Sequence, residues 1–145
     1  MRIPTKLNPC VITQGYHEKH HAIDLRAYGA ENVYAPEDCI VDRVFVDPNG
    51  NHAVYLTGKA SKISYRLFHV AATVLPHMSV SEGSVVGVIV LDPGSTGTHL
   101  HFEVLKAEGF QDGVRQNPIK WLRDNKLEYK WKKGIPKQGE INEEG

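Results

Sequence analysis

The sequence has no long apolar run. No stretch approaches the ~18 consecutive apolar residues that a spanning helix requires, so insertion into a membrane by a helix is not expected. It has no surplus of either charge. The 17 Lys and Arg residues balance 17 Asp and Glu, which argues against a broad basic field that would hold nucleic acid or an anionic membrane surface. Cysteine is scarce. Cys10 and Cys39 are too few for a disulfide scaffold, and their spacing matches neither a zinc knuckle nor a redox pair. Two buried thiols are the expectation. The opening Met1-Arg2-Ile3-Pro4-Thr5-Lys6 has no apolar segment, so no secretory signal is expected. No internal repeat and no second domain are visible.

What is present is histidine: eight in 145 residues, in a chain long enough to bury one real core. Short apolar-alternating runs separated by turn residues predict a mostly β domain, an antiparallel sheet or sandwich with one short helix near the C-terminus. Asp47-Pro48-Asn49-Gly50 is a strong turn between two strands. Asn117-Pro118 supplies a cap and a first-turn proline for a helix from Ile119 to about Asp124. Lys106 to Arg115 is expected as a polar hairpin-like excursion. The folded domain is expected over 1–125, with its core in 12–123. The charged residues 126–145 are expected to form a mobile C-terminal tail.

Gly97-Thr98-His99-Leu100-His101-Phe102-Glu103 organises the rest. Side chains two apart on a strand share a face. His99, His101 and Glu103 therefore look one way, and Leu100, Phe102 and Val104 the other. Taken alone, His-x-His also fits a solvated pair on an edge strand. A second motif stands earlier, where His20 and Asp24 share a face of a short strand or extended loop. Neutral imidazole and carboxylate together suit Zn²⁺. His69 ends a strand from Lys62 to Val70 on the face of Ile63, Tyr65 and Leu67, where a satisfied core histidine is the plainer reading. Three nitrogen or oxygen ligands with one position left open is the pattern of a catalytic zinc. Five candidates leave two for acid–base work, and spacing alone would let both His99 and His101 be ligands. His21 alternates away from His20. His17, His52 and His77 read as surface or turn residues, and Glu103 as a strand-edge charge or a partner to a ligand histidine.

In this order, His20-x-x-x-Asp24, His69, Gly97 to Glu103 and Asn117-Pro118 resemble the M23 metallopeptidases, the LytM/lysostaphin-type peptidoglycan endopeptidases. Ile12-Thr13-Gln14-Gly15, Gly50-Asn51 and Ser81-Glu82-Gly83-Ser84-Val85-Val86 support the resemblance, which spans about 12–123. It implies one Zn²⁺ per chain held by His20, Asp24 and His101, with His69 and His99 as the catalytic pair. It implies hydrolysis of a stem-peptide or cross-bridge amide in bacterial peptidoglycan. Tyr16 is a candidate for steadying the tetrahedral intermediate, with a groove-wall aromatic as the alternative. The chain departs from the family pattern at Ala22 and Cys39, where glycine is usual, and at Leu67-Phe68-His69, where Tyr-x-His is usual. The competing expectations are a non-catalytic binding or regulatory module on the same fold, against which retention of all five positions argues, and a virion structural module with a zinc site, which would need a closed set of four ligands where three good ones stand beside the two further histidines. A wall substrate without an export signal suggests a bacteriophage origin: a lysin released at lysis, or a virion-associated enzyme with a virion or wall-targeting partner.

Overall fold

The computed structural model describes residues 1–106 and 114–141. The elements are β1 (Cys10–Gln14), β2 (Ile23–Arg26), β3 (Asn32–Tyr34), β4 (Cys39–Val46), β5 (His52–Gly58) and β6 (Ser64–Phe68), then β7 (Val70–Ala72), β8 (Ser79–Val80), β9 (Val85–Ile89), β10 (His99–Lys106), β11 (Val114–Gln116), α1 (Pro118–Asp124) and β12 (Tyr129–Trp131). The main sheet runs β12-β1-β2-β10-β6-β5-β4-β8, with β11 paired to the far end of β10. A small second sheet, β3-β9-β7, packs beside it. The expected mostly β, antiparallel architecture with one short helix holds. The exception is β12, which joins β1 in parallel.

Alternation explains why the main sheet has two different faces. Leu25, Leu67, Leu100, Phe102 and Val104 are fully buried on one side. There Tyr65 stacks on Phe102 at 6.1 Å, and Trp121 of α1 packs edge-on against both rings. The indole Nε1–H donates to the Tyr65 hydroxyl at 3.2 Å, which leaves no buried ring donor unmet at this contact. Asn117 caps α1 by accepting the Ile119 N–H, with Pro118 in the first turn, as capping chemistry predicts. The helix seals one face, and the other is free to carry polar chemistry.

Two expectations are corrected. The charged residues 126–141 do not stand off the domain as a tail. Within 126–141 the chain forms β12, and the Glu140 carboxylate accepts from Tyr129 and Trp131 at 2.7 and 2.8 Å. Ile141 packs against the core. These few apolar side chains hold a segment whose average composition reads as solvated. The middle strand, expected to run through Val70, ends at Phe68. Of the expected excursion between Lys106 and Arg115, residues 107–113 lie outside the described residues, as do the last residues, 142–145.

Candidate metal centre and its flanking histidines

The site is built where β2 and β10 lie in register. Asp24 pairs with His101, and Arg26 with His99, across the two strands. Cross-strand partners on one face lie about 5 Å apart, so the carboxylate and the imidazole meet: His101 Nδ1 lies 3.2 Å from Asp24 Oδ1. His20 arrives from a different element. It sits just before β2, in a tight turn closed by two backbone hydrogen bonds with His17. Its Nδ1–H donates to the Gly15 carbonyl at 2.9 Å, and its Nε2 lies 3.2 Å from Asp24 Oδ1. One donor atom each from His20, Asp24 and His101 lies within 4.8 Å of the others.

Each of the two ligand histidines has a second partner that fixes its orientation. Glu103 is two residues from His101 on the same strand face, and its carboxylate accepts from His101 Nε2 at 3.0 Å. Glu103 in turn accepts from Arg115 Nε at 3.3 Å. A histidine held at one nitrogen by a carboxylate or carbonyl presents the other nitrogen in a fixed direction. His20 is held at Nδ1 and offers Nε2; His101 is held at Nε2 and offers Nδ1.

The electrostatics follow from this crowding. Burial pushes the Asp24 carboxyl up, but hydrogen bonds from His101 and His20 and the charge on His99 and His101 outweigh it. Asp24 stays ionised well below the usual carboxylate range. Burial pushes His101 down, but its bonds to Asp24 and Glu103 and their charge win, lifting it to about 9. Glu103 is lowered, since the His101 and Arg115 interactions exceed the cost of its burial. Two borderline nitrogen donors, each oriented from behind, and one anionic oxygen close to both fit a tetrahedral zinc site with an open position.

His69 and His99 stand beside this cluster, their rings 4.7 Å apart. His99 Nδ1–H donates to the Gly97 carbonyl at 3.0 Å, and its Nε2 lies 3.7 Å from Asp24 Oδ2. His69 does not follow the face expected for it. Phe68 pairs with His101 and lies on the site face, so strict alternation would send His69 into the core with Leu67. Instead its backbone takes φ +68°, a left-handed conformation uncommon for residues with a Cβ. That turns the imidazole back towards the site. Its Nδ1–H donates to Asp92 Oδ2 at 2.9 Å, and burial pushes its pKa down from the usual histidine value.

Asp92 is the partner that the sequence concealed. Ahead of Pro93-Gly94 it reads as a turn residue, yet it is 3% exposed. It accepts from the His52 backbone N–H at 2.9 Å, His52 Nδ1 at 2.6 Å and His69 Nδ1. His52, expected at the surface, is therefore tied into the site. Tyr16 is not brought into the cleft. It stacks on His21 at 5.6 Å and packs partly against the core. Cys10 and Cys39 are free and fully buried, as expected. The five histidine and aspartate positions line an open cleft of about 900 Å³.

The sequence model of peptidase family M23 matches residues 18–118. No curated protein sequence matches the chain. Among solved structures, the catalytic domain of the antimicrobial peptidase lysostaphin from Staphylococcus simulans aligns at 18% identity over 77% of this chain and 89% of that one, with a TM-score of 0.65. A variant of the catalytic domain of the prophage-encoded M23 protein EnpA from Enterococcus faecalis aligns at 23% identity over 79% and 93%, TM-score 0.63. A zinc-containing peptidase from Vibrio cholerae aligns at 23% identity over 69% of this chain and 35% of that one, TM-score 0.61. At these identities the likeness shows a shared fold.

Proposed function

The chain belongs to peptidase family M23, and on that premise we propose that it is a zinc-dependent endopeptidase that hydrolyses amide bonds of bacterial peptidoglycan. The observation that carries this reading is the division of labour among five side chains. His20, Asp24 and His101 converge three donor atoms within 4.8 Å, while His69 and His99 each donate from Nδ1 to a protein oxygen. Each of those two keeps Nε2 for other work.

Bound there, Zn²⁺ would supply the Lewis acidity that activates water and polarises a scissile carbonyl. The remaining steps belong to the chain. A carboxylate and a carbonyl only accept, so Asp92 and Gly97 hold the protons of His69 and His99 on Nδ1. His99 Nε2, 3.7 Å from Asp24, takes a proton from the attacking water. Burial favours the neutral form of His69 in the resting site, so its bare Nε2 can accept a hydrogen bond from that water and orient it, while the proton taken up by His99 Nε2 goes on to the leaving amine. An imidazole protonated during this transfer also stabilises the developing oxyanion.

The lysostaphin and EnpA likenesses support a wall substrate, and the prophage origin of EnpA supports reading this chain as phage-encoded. It would act on the host wall as a lysin or from the virion. The test is zinc content together with release of new amino groups from purified peptidoglycan, for wild type, His101→Ala and His99→Ala. The expected result is one zinc and cleavage for wild type, loss of metal for His101→Ala, and metal without activity for His99→Ala. Wild type that takes up no zinc, or that takes it up and cuts no wall, sinks the reading.

A further inference from the structure

The cleft floor crosses the strands of the main sheet, and its charge is one-sided. His101 on β10 pairs with Asp24 on β2. Thr13 of β1 donates its hydroxyl to the Asp24 carbonyl. Beyond β1 lies β12, whose Trp131 pairs with Ile12 and whose next residue, Lys132, donates its backbone N–H to the Ile12 carbonyl. Trp131 packs towards the core, and Lys132 lines the cleft. From Asp24 to Lys132 is thus two strand spacings, about 10 Å at ~4.8 Å each.

Among the described residues that line this cleft, three side chains carry a fixed charge: Asp24, Arg26 and Lys132. Asp24 is committed to the donor cluster. Arg26 is the cross-strand neighbour of His99. Neither Arg26 nor Lys132 has a side-chain hydrogen bond or ion pair among the described residues. The chain as a whole has 17 charges of each sign, so two cations along one groove with no side-chain partner among the described residues are a local feature and not the edge of a basic protein. An unpaired guanidinium offers a fork that fits a carboxylate, and an ammonium offers a point charge.

We propose that this cleft selects peptides bearing free carboxylates. Arg26 takes one beside the scissile amide, and Lys132 takes one about three residues away, since an extended peptide advances ~3.3 Å per residue. The inference rests on the peptidase reading above and narrows it. The preferred substrate is a stem-peptide cross-link with unmodified carboxylates, in preference to an amidated stem or a neutral bridge.

The experiment compares kcat/KM on one purified cross-linked muropeptide in two forms, carboxylates free and carboxylates amidated. The enzymes are zinc-loaded wild type, Arg26→Gln, Lys132→Gln and Lys132→Arg, with zinc content measured for each. Wild type is expected to prefer the free form by about tenfold, the size of one charge-assisted contact. That preference is expected to shrink towards parity in both Gln variants, to persist in Lys132→Arg, and to weaken as salt is raised. Equal rates on both forms by wild type, or a preference that survives both Gln variants, overturns the carboxylate subsites and leaves the peptidase reading intact. Cleavage of neither form by zinc-loaded wild type overturns both.

Discussion

The Gly15 carbonyl accepts the Nδ1–H of His20 across 2.9 Å, and that hydrogen bond decides which nitrogen His20 presents to Asp24. The carbonyl is itself clamped from outside. The neighbouring Tyr16 N–H donates to the Gln138 carbonyl at 3.1 Å, and Asn117 Nδ2 donates to the Gly139 carbonyl at 2.7 Å. A segment almost at the end of the chain thereby braces a ligand near its beginning.

Gly15 is where this brace can be broken with one methyl group. A Cβ there would lie 2.1 Å from the Gln138 carbonyl oxygen, backbone that cannot rotate away as a side chain could. Gly15→Ala must displace either the turn or the C-terminal segment. Removing the partner that orients a metal-binding histidine typically costs about 10- to 100-fold in metal affinity, and a loss of that size is expected. Competition with a chromophoric chelator measures it, and circular dichroism checks that the fold survives. Affinity unchanged in a folded Gly15→Ala would show that the brace does not set the ligand.

Zinc binding should release a proton from His101. Both of its nitrogens face carboxylates, and it stays protonated up to about 9. The nitrogen it offers to a metal is therefore occupied at neutral pH. Ligand deprotonation makes metal affinity rise with pH. The expected slope is about tenfold per pH unit between 6.5 and 9, flattening above. The stability of the metal-free fold runs the opposite way. A histidine raised from 6.5 in the unfolded chain stabilises most below 6.5, and loses that contribution as pH climbs through 9. Calorimetric titration in buffers of different ionisation enthalpy counts the protons, and a pH-independent affinity contradicts the assignment.

How much of this was legible follows from what kind of contact each element needs. His99, His101 and Glu103 were legible because two-residue alternation is a local property of β10. The core residues Leu25, Leu100 and Phe102 were legible for the same reason. His69 was placed at the right position but on the wrong face. Its φ of +68° falls at the one residue between β6 of the main sheet and β7 of the small sheet, and alternation has no way to signal that change of sheet. Asp92 was not legible, because its role depends on two histidines 40 and 23 positions away. The segment after Lys126 was misread because composition averages over residues. Three side chains, Tyr129, Trp131 and Ile141, suffice to hold it, and β12 uses the open edge of β1 that a local reading leaves unassigned.

Asp92 should matter to His69 more than to the metal. Its buried carboxylate accepts three hydrogen bonds, and the His69 interaction heads the causes that hold its pKa low against burial. Asp92→Asn keeps the shape but turns one acceptor into a donor facing N–H groups. His69 would then lose the bond that places its proton on Nδ1. A fall in kcat of about 100-fold is expected, within the range for a misdirected general acid–base, with zinc content unchanged. Equal loss of zinc and activity would instead mean that Asp92 supports the fold of the donor cluster.

Cys10 and Cys39 carry a prediction independent of metal. Burial pushes each thiol from its ordinary 9.0 to about 12, and for Cys39 the negative charge of Glu37 adds to it. The unfolded chain releases these protons near 9 and the folded chain holds them, so above 9 the unfolded state binds fewer protons. Stability must then fall as pH rises, by up to ~1.4 kcal/mol per pH unit for each thiol once above 9. Between pH 9 and 10 His101 and the tyrosines of the unfolded chain titrate as well, so the effect is read as a difference between wild type and a variant lacking one thiol. Urea denaturation across that window should show a shallower decline for Cys10→Ala than for wild type, even though Cys10→Ala starts less stable from the cavity it leaves. Both native thiols should also resist alkylation at pH 8 until the protein unfolds, because only a thiolate reacts and neither sulfur is exposed. Fast labelling of the folded protein at pH 8 would show that the interior around β1 and β4 opens far more readily than its packing implies.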